Sequence, residues 1–445
     1  MLTALALILA GPPAASARAV TGAAPHFTTA VSPFTVGQAP DWLDSRTVVY
    51  HARQPGGEIQ IVRSALDGRG RRCLTCGLAG PNQVPVVQPR GGRWILFHSW
   101  SGHRVRVGGP GFGGIGSDVW VMTRDGRRRT DLTPGGELRD NFHAYWSADG
   151  RHVVWTALNW DPATDGTGRS DIRVARFDPN GPRGPRLVGA HSVRPPNGHW
   201  YETQWWAPDG SGFLYTETAG TALNPELFFC RLPDPDRGAC RPQRLTRNPA
   251  WDEQAVFTPD MRRILFMSTR DHAGAFSNWT LLAGLLRLPA TYDYALVLPV
   301  FNESFLRPTF QQANDLYEIR LRWNGRHTRF RQAGPVRRLT HTGAGGWIIP
   351  EFAWDPSGRR LLWTESRLRN RVDEPSVLRR MRTAIVRRLA AMRGIADLPL
   401  DIADVVRREA GRVLTEPASF APSGGGDTTG PAALRSRTVI GRYAG

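Results

Sequence analysis

The sequence predicts an all-β chain: a six-bladed β-propeller of four-stranded antiparallel blades, with a helical insertion near the C-terminus. Three observations predict it. Gly (48) and Pro (35) together make about a fifth of the 445 residues, and such dense turn punctuation suits many short strands. Sixteen Trp need a repeated structural slot. A pattern of aromatic, small residue, Pro-Asp-Gly-like turn and alternating apolar run recurs six times.

The clearest copies are WSADGRHVVWT from Trp146, WAPDGSGFLYT from Trp206, FTPDMRRILFM from Phe257 and WDPSGRRLLWT from Trp354. Weaker ones are VQPRGGRWILFH from Val87 and WLDSRTVVYH from Trp42. Each reads as strand, tight turn, strand, because Asp-Gly supplies the positive φ of a hairpin and the alternation has period two. A second hairpin follows each of five copies, starting at Glu58, Asp118, Asp171, Glu226 and Asp315, and most end in Leu-Thr. Two hairpins make a blade. The Trp or Phe placed at the head of each first strand is expected to fill the slot between blades.

These two halves resemble the TolB-type propeller repeat over residues from about 39 to 365. The resemblance implies the fold. Similar repeats occur in periplasmic scaffolds, in the propellers of prolyl-oligopeptidase-like peptidases and in some oligogalacturonide lyases. The separate N-terminal α/β domain of TolB has no counterpart expected here.

Residues 1–19 read as a secretory signal. Leu2–Ala10 is an apolar run too short to span a bilayer, and small-x-small cleavage patterns follow at Ala15–Ala19. The expected location is periplasmic or secreted. Export makes the four cysteines disulfide candidates. Cys230 and Cys240 bracket a turn-rich stretch of one hairpin, and Cys73 and Cys76 form a CxxC, so two local bridges are expected. The propeller is expected over residues 20–365. Residues 269–314 form an apolar insertion in blade five, with Trp279, Tyr292, Tyr294 and Phe301 as candidate contact residues. Residues 366–411 form an Arg-rich insertion, helical at 376–393. Residues 412–445 form a linker and a late strand, and either that strand or the stretch at Phe27–Phe34 is expected to complete blade six.

Net charge is +18, and every basic residue is Arg. That charge admits acidic glycan or an anionic membrane surface as partner, but no nucleic-acid motif accompanies it. Strand order puts the Asp-Gly turns on one face and the long connections on the other, where function concentrates on a rigid scaffold. Candidate binding residues at that channel mouth are Asn82, Asn141, His143, Tyr201, Glu202, Asp252, Glu253 and Glu351. An acidic mouth suits a cation, an amine or a peptide N-terminus. His98, His143, His199 and Gln204 are the metal-ligand candidates. No nucleophile elbow, no H-E-x-x-H and no cofactor motif is present, and no catalytic residue is assigned. The expected function is a monomeric module that binds a protein or peptide in the envelope or outside the cell. A lyase acting on acidic glycans and a peripheral membrane-surface protein are the alternatives.

Overall fold

The computed structural model describes residues 27–32, 36–102, 117–135, 139–159, 169–197, 199–218, 225–248, 250–272, 314–324, 329–345, 347–349, 351–368 and 434–443. The expected signal segment, most of the apolar insertion (with Trp279, Tyr292, Tyr294 and Phe301) and the stretch expected to form an Arg-rich helix lie outside the described residues.

Six antiparallel sheets make the six blades. Strand β1 (Phe27–Val31) comes first in the chain and is used last. Blade one is β2 (Gln38–Trp42), β3 (Thr47–Arg53), β4 (Ile59–Ala65) and β5 (Arg72–Cys73). Blade two is β6 (Asn82–Val87), β7 (Trp94–Ser99), β8 (Asp118–Thr123) and β9 (Arg129–Asp131). Blade three is β10 (Arg139–Trp146), β11 (His152–Asn159), β12 (Arg169–Asp178) and β13 (Arg186–Arg194). Blade four is β14 (Tyr201–Trp206), β15 (Gly212–Thr218), β16 (Pro225–Arg231) and β17 (Arg241–Arg244). Blade five is β18 (Asp252–Phe257), β19 (Arg263–Ser268) and β20 (Asp315–Trp323), with an outer edge shared by β21 (Phe330–Gln332) and β22 (Arg337–Arg338). Blade six is β23 (Phe352–Trp354), β24 (Arg360–Leu368), β25 (Leu434–Tyr443) and then β1. The two segments offered as alternatives for closing blade six are therefore adjacent strands of it, with Phe27 opposite Tyr443 and Val31 opposite Val439.

The first strand of each blade is innermost, and these strands stand side by side around the axis. The repeating aromatic ends that strand rather than starting it, as Trp42, Trp146, Trp206, Phe257 and Trp354 show. The expected inter-blade slot is there all the same. The indole N–H of Trp42 donates to Ala353, that of Trp146 to Val86 and that of Trp354 to Phe257, each a carbonyl of the preceding blade. The Asp-Gly turn has its own chemistry. Ser147 donates to Asp149, whose carboxylate also accepts the Arg151 amide, and Gly150 sits at φ 72°.

The recurring Leu-Thr is a clasp on the third strand. The Leu74, Leu132, Leu245 and Leu339 amides donate to carbonyls of β4, β8, β16 and β20. The hydroxyl of the next residue, Thr75, Thr133, Thr246 or Thr340, accepts the amide of Ile61, Val119, Leu227 or Leu316. The clasp satisfies an amide that would otherwise be buried without a partner. Thr246→Val keeps the volume and removes the acceptor. The expected loss is about 1–3 kcal/mol of unfolding free energy, readable by urea denaturation; an unchanged midpoint would show that the Leu227 amide finds another partner.

Both cysteine pairs stand at bridging distance, with Cα–Cα separations of 5.8 Å for Cys73–Cys76 and 5.2 Å for Cys230–Cys240. The first encloses Leu74 and Thr75, so it braces the clasp of blade one.

Candidate functional site

Register places the loops. Asn82 pairs with Ser99, Asn141 with Ala157, Tyr201 with Glu217 and Asp252 with Ser268, so inner strands begin where second strands end. The connections leaving those second strands all depart from that face. The stretch at 190–194 is not a loop, since it belongs to β13.

The candidate residues lie inside the innermost strands, except Glu351, which stands one residue ahead of β23. Those strands start about five residues before the aromatic, and five of them carry a β-bulge. At four bulges a non-glycine residue has positive φ: Ala39 (47°), Val84 (49°), His143 (48°) and Gln254 (48°). Amides at or beside the bulges turn toward the preceding blade. His51 Nδ1 accepts the Val84 amide at 3.2 Å, and His98 Nε2 accepts the Ala144 amide at 3.4 Å. Thr156 accepts the Thr203 amide, and Gln204 Oε1 the Ala255 amide. Burial pushes His51 down to about 4 and His98 well below the usual imidazole range, which keeps both rings neutral as acceptors.

This ring of staples accounts for two of the four metal candidates, His98 and Gln204. His199 is apart, on the rim, where its Nδ1 lies 2.7 Å from Glu217. Burial alone would raise Glu217; hydrogen bonds from His199, Asn197 and Arg194 outweigh it and hold the carboxyl at about 2. Among the described residues no three His, Cys, Asp or Glu side chains come together as a metal-holding group.

His143 does join the axis. Its ring stacks on His98 with centroids 5.8 Å apart, and its Nδ1 lies 3.7 Å from Glu202 Oε2. Glu202 and Glu253 are held alike. The Trp200 indole donates to Glu202 Oε1 at 2.9 Å, and the Trp251 indole to Glu253 Oε2 at 2.6 Å. Burial first, then the charge of neighbouring Glu202, raises Glu253 well above the usual carboxyl range. Glu351, half-buried, is pushed up to about 8 by burial and by Glu202. Tyr145 is 2 % exposed. Its phenol is raised by burial and by the charges of Glu351, Glu202, Glu253 and Asp41, from four other blades. Below it stands Trp205, 5.1 Å from Tyr145 between centroids. Trp205 touches core clusters on different sides of the ring, so its indole occupies the axis as a floor.

The other candidates take framing roles. Asn82 bonds Gln60 and the Gly80 carbonyl, and Asn141 links Trp155 to Asp118. Tyr201 donates to the Pro195 carbonyl, and Asp252 is clamped by Arg270. The sequence reading missed Tyr145, Trp205, Asp41 and His51. The repeated Trp-x-Glu, Trp200–Glu202 and Trp251–Glu253, starts six residues before the strand's closing aromatic and signals the two carboxyls but not these four.

The chain is thus a six-bladed propeller with a buried acidic cluster at its axis, on the face from which its long connections leave, and the repeat that resembles the TolB type has built the fold it implied. Among solved structures it is similar to a putative TolB from Agrobacterium tumefaciens, at 13 % identity over 72 % of this chain and 78 % of that one, TM-score 0.39. A periplasmic gluconolactonase from Pseudomonas aeruginosa matches at 12 % identity over 72 % and 76 %, TM-score 0.40. An oligogalacturonate lyase from Vibrio parahaemolyticus matches at 15 % identity over 48 % of this chain and 52 % of that one, TM-score 0.32, so the match spans about half of the lyase. These likenesses say nothing of ligand or activity. No protein-family model matches the chain, and no curated protein does.

Proposed function

We propose that the protein is an exported binding module that docks a protein or peptide partner across its loop-rich face. One observation carries this reading: the strand ends from which the long connections leave lie at the same end of the ring as the acidic side chains of the axis. The two local cysteine pairs support an oxidising compartment. A lyase on acidic glycans is the weaker reading, because a polyanion entering this face meets Glu202, Glu253 and Glu351. A membrane-surface role rests on residues 376–393, outside the described set. The test is affinity capture from envelope extract with the native chain and with a variant carrying a short Gly-Ser linker in place of 273–313. The expected result is partners that the native chain retains and the variant loses, at equal melting temperature. A charge reversal at Asp209, on the opposite face, is expected to leave capture unchanged. Equal capture by the linker variant, or loss on changing Asp209, would contradict the reading.

A further inference from the structure

Among the described residues, the carboxyls at the axis have no arginine beside them, unlike seven buried carboxylates elsewhere in the ring. Glu217, Glu226, Asp252, Asp315, Glu318, Asp355 and Glu365 are each paired with an arginine. In an Arg-rich chain that pairing is easily made. Glu202 and Glu253 instead receive one indole N–H each, and Glu202 Oε2 is buried with no hydrogen-bond partner. A second observation points the same way. The His143 Nδ1 atom is buried, has no hydrogen-bond partner and faces Glu202. Buried polar atoms ordinarily have partners, so an unpartnered one aimed into a pocket marks a place for a ligand.

We propose that the acidic cluster at the axis binds a primary ammonium group, entering from the loop-rich face past half-buried Glu351. An ammonium carries three N–H donors. Glu202 Oε2, the Glu253 and Glu351 carboxyls and the Tyr145 hydroxyl oxygen supply acceptors on several sides. The Tyr145 and Trp205 rings supply an aromatic floor, which favours a cation on an alkyl stem. The missing three-residue metal group among the described residues argues against a bare metal ion in the same place.

Binding exchanges one cation for one proton. The ammonium keeps its three protons, and the proton held by Glu253 leaves to the buffer. The pair becomes two carboxylates facing one positive charge, so the site's own charge falls by one as the ligand's charge enters. The carboxyl groups around the pair are Glu351, Asp41 and Asp140. The imidazoles are His143, beside Glu202, and behind it His98 and His51, both engaged with backbone amides. This inference is independent of which partner docks over the loops, since it concerns residues of the inner strands alone.

The test is calorimetric titration of the full native chain with n-butylamine at about pH 7, in two buffers of different ionisation heat. Saturable binding at about 10 mM amine or below is expected, with release of up to one proton per site. Glu253→Gln should weaken binding about tenfold or more and abolish the proton release, and Tyr145→Phe should weaken it less. Trialanine with a free amino terminus should bind and its N-acetylated form should not, if the natural group is a peptide terminus; butylamine alone binding points to a side-chain or free alkylamine, and either result supports an ammonium site. The proposal is overturned by no saturable heat, by equal affinity for tetramethylammonium, which has no N–H, or by calcium binding more tightly than the amine. Undiminished binding in folded Glu253→Gln overturns it too.

Discussion

Deleting residues 27–32 is expected to cost about 5 kcal/mol or more of unfolding free energy, enough to open the ring or abolish folding. Strand β1 is the outer strand of blade six and pairs with β25 over five residues. Phe27 is its anchor: 4 % exposed, stacked on Trp363 at 6.0 Å. Gly441 makes room for that ring, since a Cβ there would lie 2.3 Å from it. The rest of β1 is solvent-facing, with Val31 55 % exposed, so most of the effect belongs to one side chain and the ladder. Phe27→Ala isolates the first part, at about 3–5 kcal/mol. Urea unfolding followed by tryptophan fluorescence measures both. A deletion variant that unfolds at the native midpoint would show that β1 is dispensable.

Stability should fall as pH rises from 6.5 to about 8, and Glu351→Gln should flatten the fall. Glu351 is raised to about 8 in the folded chain, against an ordinary value of 4.5. The native state therefore holds a proton that the unfolded state has released, so stability is present at low pH and is lost as pH climbs through the folded value. Below pH 6.5 an opposite slope enters. His51, pushed down to about 4, resists protonation in the folded state and costs stability as pH falls. Above 6.5 the carboxyls act alone. Glu351 is half-buried, so solvent screening reduces its share to about 1–2 kcal/mol over that window. The Gln variant should be the more stable chain at pH 8. Parallel curves for the two proteins, measured by thermal unfolding across the window, would place the titrating group elsewhere.

The fold was legible because its signals are local. An Asp-Gly turn, an alternating run and a Leu-Thr clasp each act within a dozen residues, and six copies reinforce one another. The site was half legible for a related reason. Glu202, Glu253, Glu351 and His143 follow from their place three or four residues ahead of the repeat's aromatic. Tyr145 and Trp205 directly precede that aromatic and read as apolar filling, because a β-bulge decides which side chains face the axis and a bulge leaves no mark in alternation. His98 read as a ligand candidate because its partner is a backbone amide on the next blade, and main-chain atoms have no letter in the sequence. Closure was read as a choice between two strands, since pairing across some four hundred residues has no local signal.

That closure also fixes an order of events. Strand β1 is made before every blade and β25 after five of them, and the two are hydrogen-bonded neighbours. Five blades can assemble from contiguous chain as it arrives, but the sixth waits for its last strand to appear. Until then β24 has an open edge, and such an edge is a template for any other extended chain. The ring therefore closes only after β25 has been made, and the slowest step of its folding should be the meeting of β1 with β25.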